Sequence, residues 1–259
     1  MRYLILSDMH GNWEALQAVL RRVRRKQFGE TLVLGDLVGY GAAPNQVIEA
    51  MSRLPGRLRI VRGNHDKVAA GLEPGHGFNE VALRAAQWTT ERLTRANLEY
   101  LKDLPVGPTL VIESQAGAGE APYGRSVAIC HGSPADEDCY VFAESEALAA
   151  FRAEPRAWVT FFGHTHLPSL FLLEEGRIAG ALLRGSGVLQ LDPDRRYLIN
   201  PGSIGQPRDR DPRAAYMIYD STRQTLRWYR CRYPLQRAQR RIVGQDLPAS
   251  LAERLAHGI

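Results

Sequence analysis

Gly163-His164-Thr165-His166 is the stretch from which the fold of this chain can be worked out. It ends an apolar run, Trp158 to Phe162, whose length and composition predict a buried strand. Positions i and i+2 of an extended segment point the same way, so His164 and His166 can face one hollow, and the glycine lets another backbone approach closely. Imidazole is the commonest biological metal ligand. Taken alone, a His-x-His is equally a hydrogen-bonded loop pair, and its surroundings must decide.

Toward the N-terminus the same pattern recurs. Arg2 to Leu6 is a short apolar run that stops at Ser7-Asp8-Met9-His10-Gly11-Asn12, after which Trp13, Leu16, Val19, Leu20 and Val23 follow at helical spacing. Thr31 to Leu34 stops at Gly35-Asp36, and Pro44 opens a helix with Val47, Ile48, Met51 and Leu54 on its apolar face. Leu58 to Val61 stops at Gly63-Asn64-His65-Asp66. Three strand-then-helix units imply parallel pairing through right-handed crossovers, which sets the strand ends along one edge. Ligands in open α/β sheets collect there.

From Asn79 to about Leu104 the spacing predicts one helix, capped by Asn79 and stopped by Pro105. Thr109 to Ile112 and Ser126 to Ile129 read as strands around a Gly-rich connection, Gly117 to Gly124, and the second strand delivers Cys130-His131-Gly132. Glu144 to Arg152 reads as a helix. Beyond the opening motif come six short strands, Ser169 to Leu173, Arg177 to Leu183, Val188 to Leu191, Tyr197 to Ile199, Ala214 to Tyr219 and Thr225 to Tyr233, mainly antiparallel, and a final helix from Ser250 to His257. With no internal repeat or long linker, the expected fold class is α/β: two packed sheets forming a sandwich flanked by helices, in one domain over residues 1–259.

Composition narrows the function classes. Hydrophobic content of 44% and charged content of 24% suit an ordinary globular protein, and no apolar run is long enough to span a bilayer. No basic leader with an apolar signal segment precedes Tyr3, so a cytoplasmic enzyme is the expectation. Cys130, Cys139 and Cys231 form no CxxC pair, which argues against a disulfide framework or a thiolate zinc site. The net charge of +5 is carried almost wholly by arginine and would suit a phosphate-bearing substrate. It is a weak basis for nucleic-acid binding, because the densest run, Arg21 to Lys26, reads as a helix end.

Five strand ends thus carry Asp8 and His10, Asp36, Asn64 and His65, His131, and His164 and His166. Five of the seven histidines sit there. Nitrogen and oxygen donors without sulfur suit divalent ions such as manganese, iron or zinc. One ion would not use them all, and two dications about 3.5 to 4 Å apart need a carboxylate between them. Asp36 is the obvious bridge.

The set D-x-H, G-D, G-N-H-D, H-G and G-H-x-H, in that order from Asp8 to His166, resembles the calcineurin-like metallophosphoesterase superfamily. Gly35-Asp36-Leu37-Val38-Gly39-Tyr40-Gly41 and Asn200-Pro201-Gly202-Ser203-Ile204-Gly205-Gln206-Pro207-Arg208 look like its small bacterial and archaeal phosphodiesterase branch. The resemblance implies that Asp8, His10, Asp36 and His166 hold one metal and Asp36, Asn64, His131 and His164 the other. The cofactors would be two divalent ions, manganese first, with iron, zinc, nickel or magnesium as alternatives. It implies hydrolysis of small phosphoesters, nucleotides among them, by a hydroxide shared between the metals, with His65 as general acid. Dinucleoside polyphosphate hydrolysis is the alternative reaction. A scaffold that kept the fold and lost the chemistry, as in the retromer subunit resembling this family, is the rival from another class. A membrane partner is not expected, and a homo-oligomer is left open.

The sequence departs from the protein serine/threonine phosphatases of the superfamily, which follow G-D with an Asp that orients the catalytic histidine and an Arg that grips phosphate. Gly39 and Tyr40 stand there. Asp66 is then either the partner of His65 or a helix cap. Arg62 is a candidate phosphoryl contact or the partner of a surface acid. Tyr40 either stacks on a base or closes the pocket floor, or packs under its loop. Asn12 reads more readily as a helix cap than as a substrate ligand, and Arg208 sits in a turn whose chemistry explains its neighbours without a role at the site. Loops 113–125 and Asp136 to Phe142 are candidates for covering the pocket.

Overall fold

In the computed structural model residues 1–112 and 125–259 are described; the Gly-rich connection and all but the last residue of the 113–125 loop lie outside them. The elements in chain order are β1 (Arg2–Leu6), α1 (Trp13–Val23), β2 (Glu30–Val33), α2 (Pro44–Ser52), β3 (Arg57–Ile60), α3 (Asn64–Ala69), α4 (Glu80–Arg92), α5 (Arg95–Lys102), β4 (Thr109–Ile112) and β5 (Val127–Ile129). They continue with α6 (Glu144–Ala153), β6 (Val159–Phe161), β7 (Ser169–Glu174), β8 (Arg177–Leu182), β9 (Gly187–Gln190), β10 (Arg196–Asn200), β11 (Ala214–Asp220), β12 (Thr225–Cys231), α7 (Leu235–Val243) and α8 (Ala249–His257).

Two six-stranded sheets result, ordered β3-β2-β1-β11-β12-β9 and β4-β5-β6-β10-β7-β8. The three expected crossover units pair in parallel, Leu6 lying opposite Val33 and Val33 opposite Ile60. The second half is mainly antiparallel as expected, but β5, β6 and β10 run parallel in the middle of the second sheet.

Strand alternation builds the layers. Tyr3 and Ile5 of β1, Leu32 of β2, and Met217 and Tyr219 of β11 point into the sandwich, where they meet Val127, Ile129, Val159, Phe161, Tyr197 and Ile199 of the second sheet. Leu4 and Leu6, Val33, and Tyr216 and Ile218 point the other way, into a core shared with Leu16 and Val19 of α1 and Val47, Ile48 and Met51 of α2. Outside the second sheet, Ala147, Ala150 and Phe151 of α6 cover Phe162, Phe171 and Leu198. Burying each such aliphatic side chain contributes roughly 1.5–3 kcal/mol, so a one-residue slip of any central strand would forfeit its whole set.

The expected helix from Asn79 to Leu104 is two helices. Asn79 does cap α4, its side chain accepting from the Ala82 N–H at 2.9 Å, but Leu93 turns extended at ψ 133° and Thr94 caps a second helix by accepting from Asn97 N–H at 3.2 Å. Asn45 bridges the break, donating to the Arg92 carbonyl at 2.8 Å and accepting from Thr94 N–H at 3.0 Å, so the interruption leaves few polar groups unpaired. Helix α7 was not expected from the sequence. Ala238 and Ile242 are its buried residues, and Arg241 fixes it to α1 through two bonds to Glu14 Oε1 of 3.0 and 2.9 Å. No helix among the described residues is long and apolar enough to cross a membrane.

Candidate metal centre

The C-terminal ends of β1, β2, β3, β5 and β6 converge at the top of the two sheets. Asp8, His10, Asp36, His164 and His166 all leave their strands in the left-handed conformation, with φ of 52°, 47°, 54°, 65° and 60°. Non-glycine residues hold such angles at a cost of about 1–3 kcal/mol each, and only where the surroundings over-determine them. Here the surroundings are backbone bonds between loops: Asp8 N–H to Gly35 O at 3.1 Å, His10 N–H to Asp36 O at 2.9 Å and Gly163 N–H to His131 O at 2.7 Å.

The imidazoles are oriented by main-chain carbonyls. His10 Nδ1 donates to Val38 O at 3.0 Å, His131 Nδ1 to Leu34 O at 2.7 Å and His166 Nδ1 to Gln206 O at 2.6 Å, which turns each Nε2 inward. His164 is reversed: its Nε2 donates to Asp138 O at 3.1 Å and Nδ1 is left for the interior.

The inward atoms then crowd together. His10 Nε2 lies 2.9 Å from His166 Nε2, both unprotonated nitrogens that cannot bond one another without a cation or proton. Asp36 Oδ2 is buried without a hydrogen-bond partner, 3.4 Å from His10 Nε2 and 3.5 Å from His131 Nε2. His166 Nε2 is 3.4 Å from Asp8 Oδ1, and Asn64 Oδ1 is 3.1 Å from His131 Nε2. Separations of this size are the edges of a coordination polyhedron whose metal–ligand bonds are about 2.0–2.2 Å. Asp8, His10, Asp36 and His166 form one group of ligand atoms within 4.8 Å of one another, and Asp36, His131 and His164 form a second. The donor set therefore fits two divalent ions, with Asp36 common to both.

Electrostatics follows from burial. His10 and His166 are held well below the ordinary histidine range by desolvation, so both are neutral donors. Burial likewise takes His164 to about 3 and His65 to about 4. Burial opposes charge on Asp36 too, but the imidazoles of His131, His65 and His10 outweigh it and keep the carboxyl well below its usual range. His131 is the counterpart: desolvation lowers it, yet the Asp36 carboxylate lifts it to about 10. Asp8 is pushed up by its burial.

The remaining candidates sort by what their polar atoms touch. Asn12 is a cap: Oδ1 accepts from Ala15 N–H at 3.1 Å and Nδ2 donates to Gly205 O at 2.9 Å, so its amide is committed to the backbone rather than to a substrate. Asp66 accepts from Val38 N–H at 3.2 Å and Gly63 N–H at 3.1 Å, and His65 Nδ1 is buried without a partner. The carboxylate braces the loop, so the reading of Asp66 as the orienter of His65 is corrected in favour of the cap. Arg62 pairs with Glu137 at 2.7 Å, which replaces the expected phosphoryl contact by an ion pair. Tyr40 is buried to 7% exposure, its ring 4.7 Å from His10 and 4.4 Å from His65, which is the packing reading rather than an open face for a base. His65 itself lies in the cluster, its ring 4.9 Å from that of His10.

Gly39 explains the missing phosphatase aspartate. A Cβ there would come within 2.8 Å of both His10 Nδ1 and His65 Nδ1, so the two imidazoles occupy the space of a side chain, and its φ of 130° suits only glycine.

Sequence reasoning undervalued the segment from Asn200 to Arg208. Asn200 donates to Gly163 O at 2.6 Å and accepts from Gly202 N–H at 2.7 Å, Ser203 Oγ donates to Asp8 O at 2.8 Å, and Gln206 O receives the His166 proton. These bonds lash the β10–β11 connection to both ligand loops. Arg208, set aside as a turn residue, reaches Tyr40 Oη at 3.3 Å and Gln206 Oε1 at 3.1 Å. Tyr140 was also missed; its ring stacks on His164 with centroids 3.8 Å apart. An aromatic four residues before a helix gave no signal in one dimension.

A family profile, the calcineurin-like phosphoesterase superfamily domain, matches residues 1–224. The chain belongs to that superfamily. Within this family it is 36% identical over 255 residues to a protein of Methanocaldococcus jannaschii described as uncharacterized, covering 98% of this chain and 97% of that one. The crystal structure of a metallophosphoesterase from Sphaerobacter thermophilus is similar with a TM-score of 0.81 at 35% identity, covering 100% of this chain and 99% of that one. A shorter stretch, 67 residues, is 39% identical to a symmetrical bis(5'-nucleosyl)-tetraphosphatase of Baumannia cicadellinicola, covering 26% of this chain and 23% of that protein. The superfamily phosphoesterases and the buried His/Asp centre of this chain thus coincide in one fold.

Proposed function

We propose that the chain hydrolyses small phosphoesters at two divalent cations, one held by Asp8, His10, Asp36 and His166 and the other by Asp36, Asn64, His131 and His164. The observation that carries this is Asp36: the residue belongs to both groups of ligand atoms, and its buried Oδ2 accepts no hydrogen bond among the described residues while lying 3.4 Å from His10 Nε2 and 3.5 Å from His131 Nε2. Manganese is the first candidate, with iron, zinc, nickel or magnesium as alternatives. Such a pair supplies Lewis acidity to the phosphoryl oxygens and a nucleophile at neutral pH.

The chain's own residues do the rest. An arriving phosphoryl anion favours the imidazolium form of His65 by Coulomb attraction; the ring takes a proton from solvent on Nε2 and passes that proton to the leaving oxygen, returning to the neutral form. The rings of Tyr40 and Phe78, with centroids 4.4 and 4.5 Å away, hold that ring in place. Nucleotides are the proposed substrates. Tyr140 and Phe142 stack on each other with centroids 5.2 Å apart at 10°, remain 42% and 57% exposed, and continue the His164 ring outward as an aromatic shelf suited to a base. The likeness to the tetraphosphatase sequence over 67 residues supports a dinucleoside polyphosphate as the second reading.

Purified protein is expected to hydrolyse bis-para-nitrophenyl phosphate with added manganese, and Asp36→Asn to lose that activity by at least about 10³-fold, because one substitution removes a ligand from both ions. Activity that survives exhaustive chelation, or no activity with any of the five metals, overturns the reading; the second outcome leaves the silent scaffold. Products released from diadenosine tetraphosphate decide between the two substrate readings.

A further inference from the structure

Two arginines converge on the wall of the centre. The guanidinium carbon of Arg208 lies 5.8 Å, and that of Arg254 on α8 5.9 Å, from the centroid of the Tyr40 ring, which itself touches His10 and His65. Arg208 spends its Nη2 on neutral acceptors, Tyr40 Oη and Gln206 Oε1, and Arg254 gives its Nε to the main-chain oxygen of Ile259 at 2.9 Å. Neither is within 4 Å of an Asp or Glu among the described residues. Burial, with the repulsion of Arg208 added to it, lowers the proton affinity of Arg254.

Donors are left over at the same place. Arg208 Nε and Gln206 Nε2 are both buried without a partner among the described residues, and Gln206 is 1% exposed. Buried N–H groups of folded proteins nearly always find an acceptor, and two unpaired ones on neighbouring side chains, beside the Arg208 guanidinium that bonds only neutral acceptors, call for an anionic oxygen from outside the chain. Two dications, two ligand carboxylates and two guanidinium groups also leave more positive charge than one phosphate can balance. Arg254 lies beyond residues 1–224, the part matched by the family profile, so α8 adds this charge to the shared domain.

We propose that Arg208, Arg254 and the Gln206 amide form a second anion subsite, which selects phosphoesters carrying a further phosphoryl group next to the one attacked, as in nucleoside diphosphates and longer polyphosphates. The assignment rests on the phosphoesterase reading for where the attacked phosphate sits. The two arginines act on substrate binding, and the preference they confer is one of substrate class: an added phosphoryl group is rewarded whatever lies on the aromatic shelf.

The test compares binding of AMP with that of adenosine 5'-(α,β-methylene)diphosphate, which shares the base and resists hydrolysis. Both are titrated calorimetrically into the full chain with manganese in millimolar excess, so that chelation by the nucleotide leaves the site loaded. Tighter binding of the diphosphate analogue by about tenfold or more is expected, the size of one charge-assisted bond. In Arg254→Gln the ratio falls severalfold, and in Arg208→Gln it falls as well; circular dichroism and metal content of each variant report folding. Equal affinities in the unaltered chain, or a ratio that survives both substitutions in folded, metal-loaded protein, overturn the proposal. A ratio that behaves as expected in protein unable to cleave bis-para-nitrophenyl phosphate keeps the subsite and sinks the phosphoesterase reading instead.

Discussion

At the scale of single residues, main-chain carbonyls do the ordering. Val38, Leu34, Gln206 and Asp138 each take one imidazole proton, so four histidines are aimed before any ligand arrives and none depends on a mobile side chain for its tautomer. His65 is the exception, since its Nδ1 has no partner and its ring is held by packing against His10, Tyr40 and Phe78. A ring fixed that way, in contact with the centre but outside both ligand groups, is suited to proton transfer. Replacing His65 by Asn should therefore lower kcat by roughly 10²–10⁴-fold while bound metal, measured by elemental analysis, stays at the unaltered level. Loss of metal in step with activity would make His65 a ligand instead.

At the scale of elements, the strand-ends-at-the-ligand pattern was readable because apolar runs of four to six residues stop at Asp, Asn or His beside a glycine, and burial enforces both the run and the stop. That gave the three parallel units, the edge on which they finish and the side chains of Asp8, His10, Asp36, His131, His164 and His166, which cluster there. What the sequence hid has physical causes. Thr94 breaks a long periodic segment, and only Asn45, 49 residues away in the chain, makes that break inexpensive. Arg208 looked like turn chemistry because its neighbours Ser203 and Gly205 are turn residues that also brace Asp8; the guanidinium's reach into the centre depends on how the β10–β11 connection crosses between sheets. Asp66 could not be assigned from its position, since a cap and a histidine partner ask for the same residue at the same place. Two glycine and cap substitutions separate elements that position the centre from those that only support the fold. Gly39→Ala must abandon a φ of 130° and push on two imidazoles, so metal affinity should fall by tenfold or more along with stability. Thr94→Ala removes only a cap between α4 and α5, costing about 1 kcal/mol in urea unfolding, and should leave metal affinity as it was.

At the scale of the whole molecule, the centre is a joint between sheets. Asp8, His10, Asp36 and Asn64 come from strands of one sheet and His131, His164 and His166 from strands of the other, with Asp8 Oδ1 accepting from His164 N–H at 3.2 Å across the gap. Without metal, the joint holds buried lone pairs against one another, and His131 keeps a proton up to about pH 10 because Asp36 needs a positive neighbour. A dication that binds there takes over that neutralising role, so it must displace the proton. The sign follows directly: between pH 8 and 9 Asp8, which burial lifts to about 7, is ionised while the metal-free His131 is still protonated, so one proton leaves as the ion binds and apparent affinity should rise about tenfold per pH unit. Calorimetry in buffers of different ionisation enthalpy will read the released proton. The same linkage sets stability: free metal at a hundred times its dissociation constant should add about 2.7 kcal/mol per occupied site against unfolding, and a chelator should remove it. Asp36→Asn should abolish both the proton release and the metal-dependent rise in Tm, since it removes the carboxylate charge of the residue common to both ligand groups. A Tm that ignores metal in the unaltered chain would mean that the two sheets meet here without being joined by an ion.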